Sequence, residues 1–238
     1  MAEDPSPSLL AAPSPLAGWS RADLAARIDH TVLQPEADQG RIEVAVAVAV
    51  SNGCASVCVQ PTWVQYAVEM VGGRIPVCSV VGFPHGTSLT RTKADEAAAV
   101  VALGAEEVDM VADLAALADD DLGSVAADVA DVRAAVPSTV LKVILETALW
   151  TPALVRAAAE AALAGGADYV KTSTGFHPAG GATVEAVSAL REGVGGRARV
   201  KASGGIRTLA GARAMLDAGA DRLGMSATEA VLAEVTGR

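Results

Sequence analysis

Aromatic side chains are nearly missing from this 238-residue chain. Phe, Trp and Tyr together make up 3%, too few for base-stacking platforms, antibody-like surfaces or membrane aromatic belts. Positive charge is also scarce: 18 Lys plus Arg face 28 Asp plus Glu, a formal charge of −10, which argues against a nucleic-acid partner. Long apolar runs are lacking despite a mean hydropathy of +0.36. The run Val44 to Val50 meets Ser51, Asn52 and Gly53, far short of the roughly 20 residues a spanning helix needs, so no membrane partner is expected. Three cysteines, Cys54, Cys58 and Cys78, are an odd number without ligand-like pairing, which fits buried thiols in a reducing compartment rather than a disulfide. Glu3 and Asp4 stand where a signal peptide would be basic, and the expected location is cytoplasmic.

What is abundant is Ala, Val, Leu and Gly, enough to bury a large core. Residues 1–17 hold Pro5, Pro7, Pro13 and Pro15 among Ser and Ala and read as a disordered, flexible N-terminal tail. From residue 18 to residue 238 no linker appears, and a single domain is expected. Ser20 and Asp23 have the spacing of a capping box ahead of a short helix. A phrase then recurs: Asn52-Gly53-Cys54-Ala55, Leu103-Gly104-Ala105-Glu106, Gly165-Gly166-Ala167-Asp168 and Ala218-Gly219-Ala220-Asp221, each followed by a β-rich run. Glycine closes a helix in the left-handed conformation, and the unbroken apolar run is a buried parallel strand. Strands are predicted at 28–31, 55–59, 77–82, 107–111, 140–146, 169–172, 199–202 and 222–225, with helices between them. Eight βα units match an α/β fold of the (β/α)8 TIM-barrel type better than an open doubly wound sheet. Val44 to Val50 alternates with period two, as a strand would. It is assigned to a helix because losing the first crossover would leave two parallel strands joined without one.

Barrels of this kind act at the C-terminal ends of their strands. Closing the predicted strands are Asp29, His30 and Thr31; Cys58; Gly82 to Gly86 with His85; Asp109; Lys142 and Glu146; Lys171, Thr172 and Ser173; Lys201 and Ser203; and Ser226. Only four lysines occur against fourteen arginines. Lys142, Lys171 and Lys201 sit inside apolar strand runs, where a surface lysine would not. A desolvated lysine can lose its proton and attack a carbonyl carbon, which arginine cannot. Each could equally be a strand lysine whose head meets a carboxylate. Lys171 and Lys201 fall on consecutive strands, however, and ammonium groups about 6 Å apart repel by roughly 3 kcal/mol at an effective dielectric near 20. Such repulsion favours one neutral amine, the nucleophile of a Schiff base. Asp109, between Val108 and Met110, serves either to neutralise Lys142 or Lys201 or as a proton relay, and the two roles are compatible. Ser203-Gly204-Gly205 and Gly224-Met225-Ser226 are glycine-rich turns before the last two helices, where barrels commonly hold phosphate. His30, His85 and His177 have no ligand-like spacing, so no metal is expected.

Taken in order, these pieces resemble the deoxyribose-phosphate aldolase family over residues 27–228. The resemblance rests on Ile28-Asp29-His30-Thr31, Ser56-Val57-Cys58-Val59, Val81-Gly82-Phe83-Pro84-His85-Gly86, Thr92-Lys93-Ala94-Asp95-Glu96, Glu107-Val108-Asp109, Lys142-Val143-Ile144-Leu145-Glu146-Thr147, Val170-Lys171-Thr172-Ser173-Thr174-Gly175 and Lys201-Ala202-Ser203-Gly204-Gly205. It implies a cofactor-free class I aldolase that reversibly cleaves 2-deoxy-D-ribose 5-phosphate into acetaldehyde and D-glyceraldehyde 3-phosphate in deoxyribonucleoside catabolism. It also implies that Lys171 forms the imine, that Asp109 and Lys201 relay protons, and that Thr172, Gly204, Gly205, Gly224 and Ser226 contact substrate or its phosphate.

The chain departs from the family's usual pattern at Asp113, where Asn is common, and at Ala115, where Gly is. Met225-Ser226-Ala227 replaces a frequent Thr-Ser-Ser, which removes hydroxyl donors, and Ala148 and Trp150 stand for a common Cys and Leu. Two rival readings are a different class I aldolase or transaldolase on the same barrel and a catalytically silent sugar-phosphate sensor. The expected partners are a small-molecule sugar phosphate and aldehydes, with a homodimer through outer helices as the common assembly for such barrels.

Overall fold

The computed structural model describes residues 19–235; the tail expected at 1–17 lies outside the described residues. Ser20 caps α1 (Arg21–Ala25) through the reciprocal exchange with Asp23 that the capping-box spacing predicts. Eight strands follow: β1 (Ile28–Val32), β2 (Ser56–Val59), β3 (Val77–Val81), β4 (Glu107–Val111), β5 (Val140–Ile144), β6 (Tyr169–Lys171), β7 (Arg199–Ser203) and β8 (Arg222–Met225). All pair in parallel with their sequence neighbours, and β8 pairs with β1 to close the barrel. The crossovers carry α2 (Gln39–Asn52), α3 (Val64–Val71), α4 (Thr90–Ala102), α5 (Leu114–Ala118), α6 (Leu122–Ala135), α7 (Pro152–Ala164), α8 (Val184–Val194) and α9 (Leu209–Asp217), and α10 (Thr228–Ala233) follows β8. This is the TIM barrel expected from the eight βα units. Strand ends shift by two residues at most, and the largest shift has a cause: β5 stops before Glu146, whose φ of 49° lies outside the strand region.

The Val-Ala run is helical, within α2. Its residue types alternate, but burial falls on Ile42, Ala45, Val46 and Ala49, the i, i+3, i+4, i+7 stripe of a helix packed on a sheet. Asp38 caps its start, and Gly53 ends it in the left-handed conformation at φ +66°. Among the described residues no helix is long and apolar enough to cross a membrane.

Strand side chains divide between two environments. Val57, Val59, Val108, Met110, Leu141, Val143, Val170, Val200, Ala202 and Leu223 pack into the main apolar core with the helices. The alternate positions turn to the barrel axis, where a typical barrel stacks branched aliphatic residues. Here that interior holds Asp29, Glu107, Asp109, Lys142, Lys171 and Lys201, all buried. A small separate apolar cluster, Leu33, Cys58, Cys78 and Val80 with Phe83 against it, lines the β1 to β3 side.

Candidate active site

Asp109 is the centre of the charged interior. Its Oδ2 lies 2.7 Å from Lys171 Nζ and 2.7 Å from Lys201 Nζ, while its Oδ1 is 2.7 Å from Lys142 Nζ. Register explains the convergence. Asp109 is paired with Lys142 across β4 and β5, and Lys171 with Lys201 across β6 and β7, so side chains of matching direction meet over the axis. The three lysines differ in their remaining partners. Lys142 also reaches Glu107 Oε2 at 2.7 Å, and Lys201 reaches Asp29 Oδ2 at 2.5 Å. Among the described residues Lys171 has only the Asp109 oxygen it shares. Below them Arg222 bridges Asp29 Oδ1 at 2.5 Å and Glu107 Oε2 at 3.4 Å.

Burial alone would raise the Asp109 pKa, but the ammonium groups of Lys142, Lys171 and Lys201 outweigh it and hold the carboxyl well below the usual range. Burial opposes charge on Lys201 and Lys142 as well. Asp109 and Asp29 nevertheless raise Lys201, and Asp109, with Asp29 and Glu107 among its other partners, raises Lys142 well above an ordinary lysine. The expected bare repulsion between Lys171 and Lys201 is therefore corrected: a carboxylate oxygen sits between the two nitrogens and attracts both.

The loops above the strands are locked to one another. Glu146 at the end of β5 accepts hydrogen bonds from the Thr174 backbone N–H at 3.2 Å and from Thr174 Oγ1 at 2.6 Å, which fixes the turn that follows Lys171. Gly204 and Gly205 take φ of +90° and +81°. A Cβ on Gly181 would sit 2.2 Å from the Gly204 carbonyl oxygen, so the loop after β6 lies directly on the loop after β7. Phe83 and Phe176, from the loops after β3 and β6, meet edge to face with centroids 5.3 Å apart. Ser226 is exposed beyond β8 and lines an open groove of about 580 Å³ with His30, Thr31 and Arg41.

Two residues expected to touch substrate occupy different positions. The Thr172 hydroxyl is buried, donates to the Ser203 carbonyl at 3.1 Å and accepts from the Ser203 N–H at 3.0 Å, so it clasps β6 to β7. Gly224 lies within β8, where a Cβ would come within 2.9 Å of Ser203 Cβ and 3.2 Å of Lys201 Cε. The missing side chain leaves room for Ser203 and Lys201. The departures from the family pattern have readable settings. Asp113 caps α5, accepting from Ala115 N–H at 2.9 Å, a position Asp and Asn fill equally well. Ala115 is exposed on that helix.

Asp29, Glu107 and Arg222 complete the charged network; of these the sequence points only to Asp29, as one polar strand-end residue among many. The available signal was alternation within apolar strands, Glu107-x-Asp109 and Arg222-x-Gly224. Among the described residues the atoms that could hold a metal are Cys58 Sγ, Cys78 Sγ and an Asp109 oxygen, all within 4.8 Å of one another. Both Asp109 oxygens are already taken by ammonium groups. The histidines stand elsewhere: His30 Nδ1 is 2.8 Å from Thr228 Oγ1, and burial lowers its pKa to about 4. Lys93 is buried on α4 and pairs with Asp128 of α6 at 2.8 Å.

A parallel barrel whose axis carries three lysines around one carboxylate has the makings of a lysine-based aldolase. The family model of the DeoC/LacD family aldolases matches residues 24–233, and the chain belongs to that family. The deoxyribose-phosphate aldolase of Mycolicibacterium paratuberculosis is 55% identical over 90% of this chain and 97% of its own length. That of Frankia alni is 51% identical over 90% and 97%. Among solved structures, a putative deoxyribose-phosphate aldolase from Coccidioides immitis superposes with a TM-score of 0.88 at 40% identity, covering 91% of this chain and 87% of that one. The tetrameric deoxyribose phosphate aldolase of Aeropyrum pernix gives 0.83 at 34% identity, over 92% and 94%.

Proposed function

We propose that this aldolase reversibly cleaves 2-deoxy-D-ribose 5-phosphate into acetaldehyde and D-glyceraldehyde 3-phosphate through an imine on Lys171. The supporting observation is the single Asp109 oxygen shared by Lys171 and Lys201. Lys171 is the nucleophile because attack needs a free amine. When Lys171 sheds its proton to attack, Lys142, Lys201 and Arg222 balance Asp29, Glu107 and Asp109, so the reacting form of the buried cluster is neutral.

In the forward direction the Lys171 amine adds to the C1 aldehyde carbon of the open-chain sugar. Asp109 and Lys201 deliver the proton with which the carbinolamine hydroxyl leaves as water, and a protonated imine results. As the C3 hydroxyl gives up its proton to the Asp109–Lys201 relay, the C2–C3 electron pair flows toward that imine and D-glyceraldehyde 3-phosphate departs. The remaining enamine is protonated at C2 by the same relay, and hydrolysis frees acetaldehyde and Lys171. An imine serves as the electron sink, so no metal is required. The phosphate is held by the backbone of Gly204 and Gly205 and by Ser226, where free N–H groups suit an anion that the net charge of −10 would otherwise repel. Thr172 and Gly224 act by placing Ser203 and Lys201. The relatives' names support deoxyribose phosphate as the substrate, the resemblance implies a role in deoxyribonucleoside catabolism, and the tetrameric relative supports a homo-oligomer.

The test is to incubate the protein with acetaldehyde or deoxyribose 5-phosphate in the presence of a chelator, reduce with borohydride, and map the modified peptide by mass spectrometry. The expected adduct is confined to Lys171. An adduct on Lys142 would move the nucleophile, and full turnover without any adduct would overturn the imine.

A further inference from the structure

The mechanism leaves two buried thiols unused at its centre. Cys58 of β2 and Cys78 of β3 are direct register partners, both are fully buried, and their Sγ atoms lie within 4.8 Å of each other and of an Asp109 oxygen. Cys78 is part of the charged network: its S–H donates to Asp109 Oδ1 at 3.2 Å, and Lys142 Nζ donates to its sulfur at 3.3 Å. Cys54 differs, since burial pushes its thiol up to about 12 and it has no cysteine partner in register.

We propose that Cys58 and Cys78 form a dithiol modification site, closed to a disulfide by small hydroperoxides, and that closure disables the Asp109 centre. Adjacent strands bring paired Cα atoms about 4.8 Å apart, inside the roughly 4.4–6.8 Å that a disulfide spans. The Cα spacing therefore permits a bridge, which also requires the two side chains to rotate toward each other. Cys58 reacts first, because the Cys78 S–H is engaged with Asp109 Oδ1 and its sulfur with Lys142 Nζ, while the Lys201 and Lys171 charges near Cys58 favour a thiolate there against burial and Asp109. The thiolate takes the terminal oxygen of the peroxide, the O–O bond breaks, and a sulfenic acid and hydroxide or alkoxide are left. The Cys78 sulfur attacks that sulfenic sulfur and its proton leaves with the hydroxyl as water. Two thiols are thereby oxidised by two electrons and the peroxide is reduced by two. The reagent has a route, because aldehydes must reach Lys171 in the same interior and hydrogen peroxide is no larger than acetaldehyde. Once bridged, Cys78 no longer donates to Asp109 and its sulfur is drawn from Lys142 toward β2. A displacement of about 1 Å in such a constellation can cost about 100-fold in rate.

The proposal rests on the aldolase reading for the reagent's route and for one of its two readouts; the cross-link itself is read by mass. The full-length protein, reduced and then freed of reductant, is treated with hydrogen peroxide at pH 7. Peptides are mapped without reduction while aldol cleavage is followed in parallel. The expected product is a Cys58–Cys78 cross-linked peptide lighter by two hydrogens. Turnover should fall by about tenfold or more in the bridged protein and return with dithiothreitol. Cys54→Ser should bridge like the parent, and Cys58→Ser and Cys78→Ser, each judged against its own untreated activity, should show no reversible loss. Cys58 ending as a sulfinic acid beside a free Cys78 thiol would overturn the dithiol site, as would two intact thiols after treatment. A quantitative bridge with unchanged turnover would overturn the coupling to Asp109. A protein inactive before treatment would count against the aldolase reading alone, since the cross-link is read by mass.

Discussion

Lys171 and Lys201, register partners on β6 and β7, place their nitrogens at the same 2.7 Å from one oxygen of Asp109. Only Lys201 has a second carboxylate, Asp29. That asymmetry separates two chemically identical side chains. In the proposed mechanism the lysine with two carboxylates, Lys201, serves as the proton relay, and Lys171, which lacks a second carboxylate among the described residues, is the nucleophile.

Lys171→Arg retains a cation opposite Asp109 but removes the amine that can form an imine. Turnover is expected to drop by about 10⁴-fold or more, with the far-ultraviolet circular dichroism and the melting transition close to the parent's. Normal cleavage by this variant would rule out the imine.

Lys201→Leu acts on both activity and stability. It removes a relay member, worth about 10²–10⁴ in rate, and leaves Asp29 Oδ2 facing a methyl group in the interior. Loss of one partner from a buried pair costs about 3–5 kcal/mol. Arg222 remains on Asp29 Oδ1, so a value near the lower end is expected in urea unfolding. Unchanged turnover would remove Lys201 from the relay.

Gly224→Ala tests the reassignment of this glycine from phosphate contact to spacer. Its methyl group would overlap Ser203 Cβ and press on Lys201 Cε. Overpacking costs about 1–3 kcal/mol, and the displaced lysine should lower kcat. A rise in KM for the phosphorylated substrate with kcat preserved would instead return Gly224 to the phosphate site.

His30 sets a pH window. Burial lowers its pKa from 6.5 to about 4, so between these values the unfolded chain binds a proton that the folded protein refuses. Stability is complete above the unfolded value, declines as pH falls from about 6.5, and levels off below about 4, a total of about 3 kcal/mol. Carboxylates with lowered pKa values, among them Asp29, Asp109, Asp23, Glu43 and Asp121, lose their contribution as pH falls through the ordinary carboxylate range, at the lower edge of this window. Unfolding free energies at pH 7, 6 and 5 should fall in that order, and His30→Gln should flatten the trend.

Much of the architecture was legible in the chain itself. The helix-closing glycines and unbroken apolar runs mark βα units locally, because a helix end and a doubly buried strand each impose their own residue types. Burying lysine is costly enough that three of them inside apolar runs already pointed to the interior and to carbonyl chemistry. Even the Val-Ala run is legible as a helix, through the crossover that two parallel strands require and not through its period. Composition and strand order did not reveal which charges share partners. That depends on closure of the barrel, which brings β1, β4, β5, β6 and β7 around one axis although residues 29 and 201 are far apart in sequence. Only the tertiary structure showed that Asp109 attracts both lysines instead of leaving them to repel. It also showed that Gly224 makes space and Thr172 clasps two strands, because steric room and hydrogen-bond saturation belong to the packed interior and leave no local mark on the sequence.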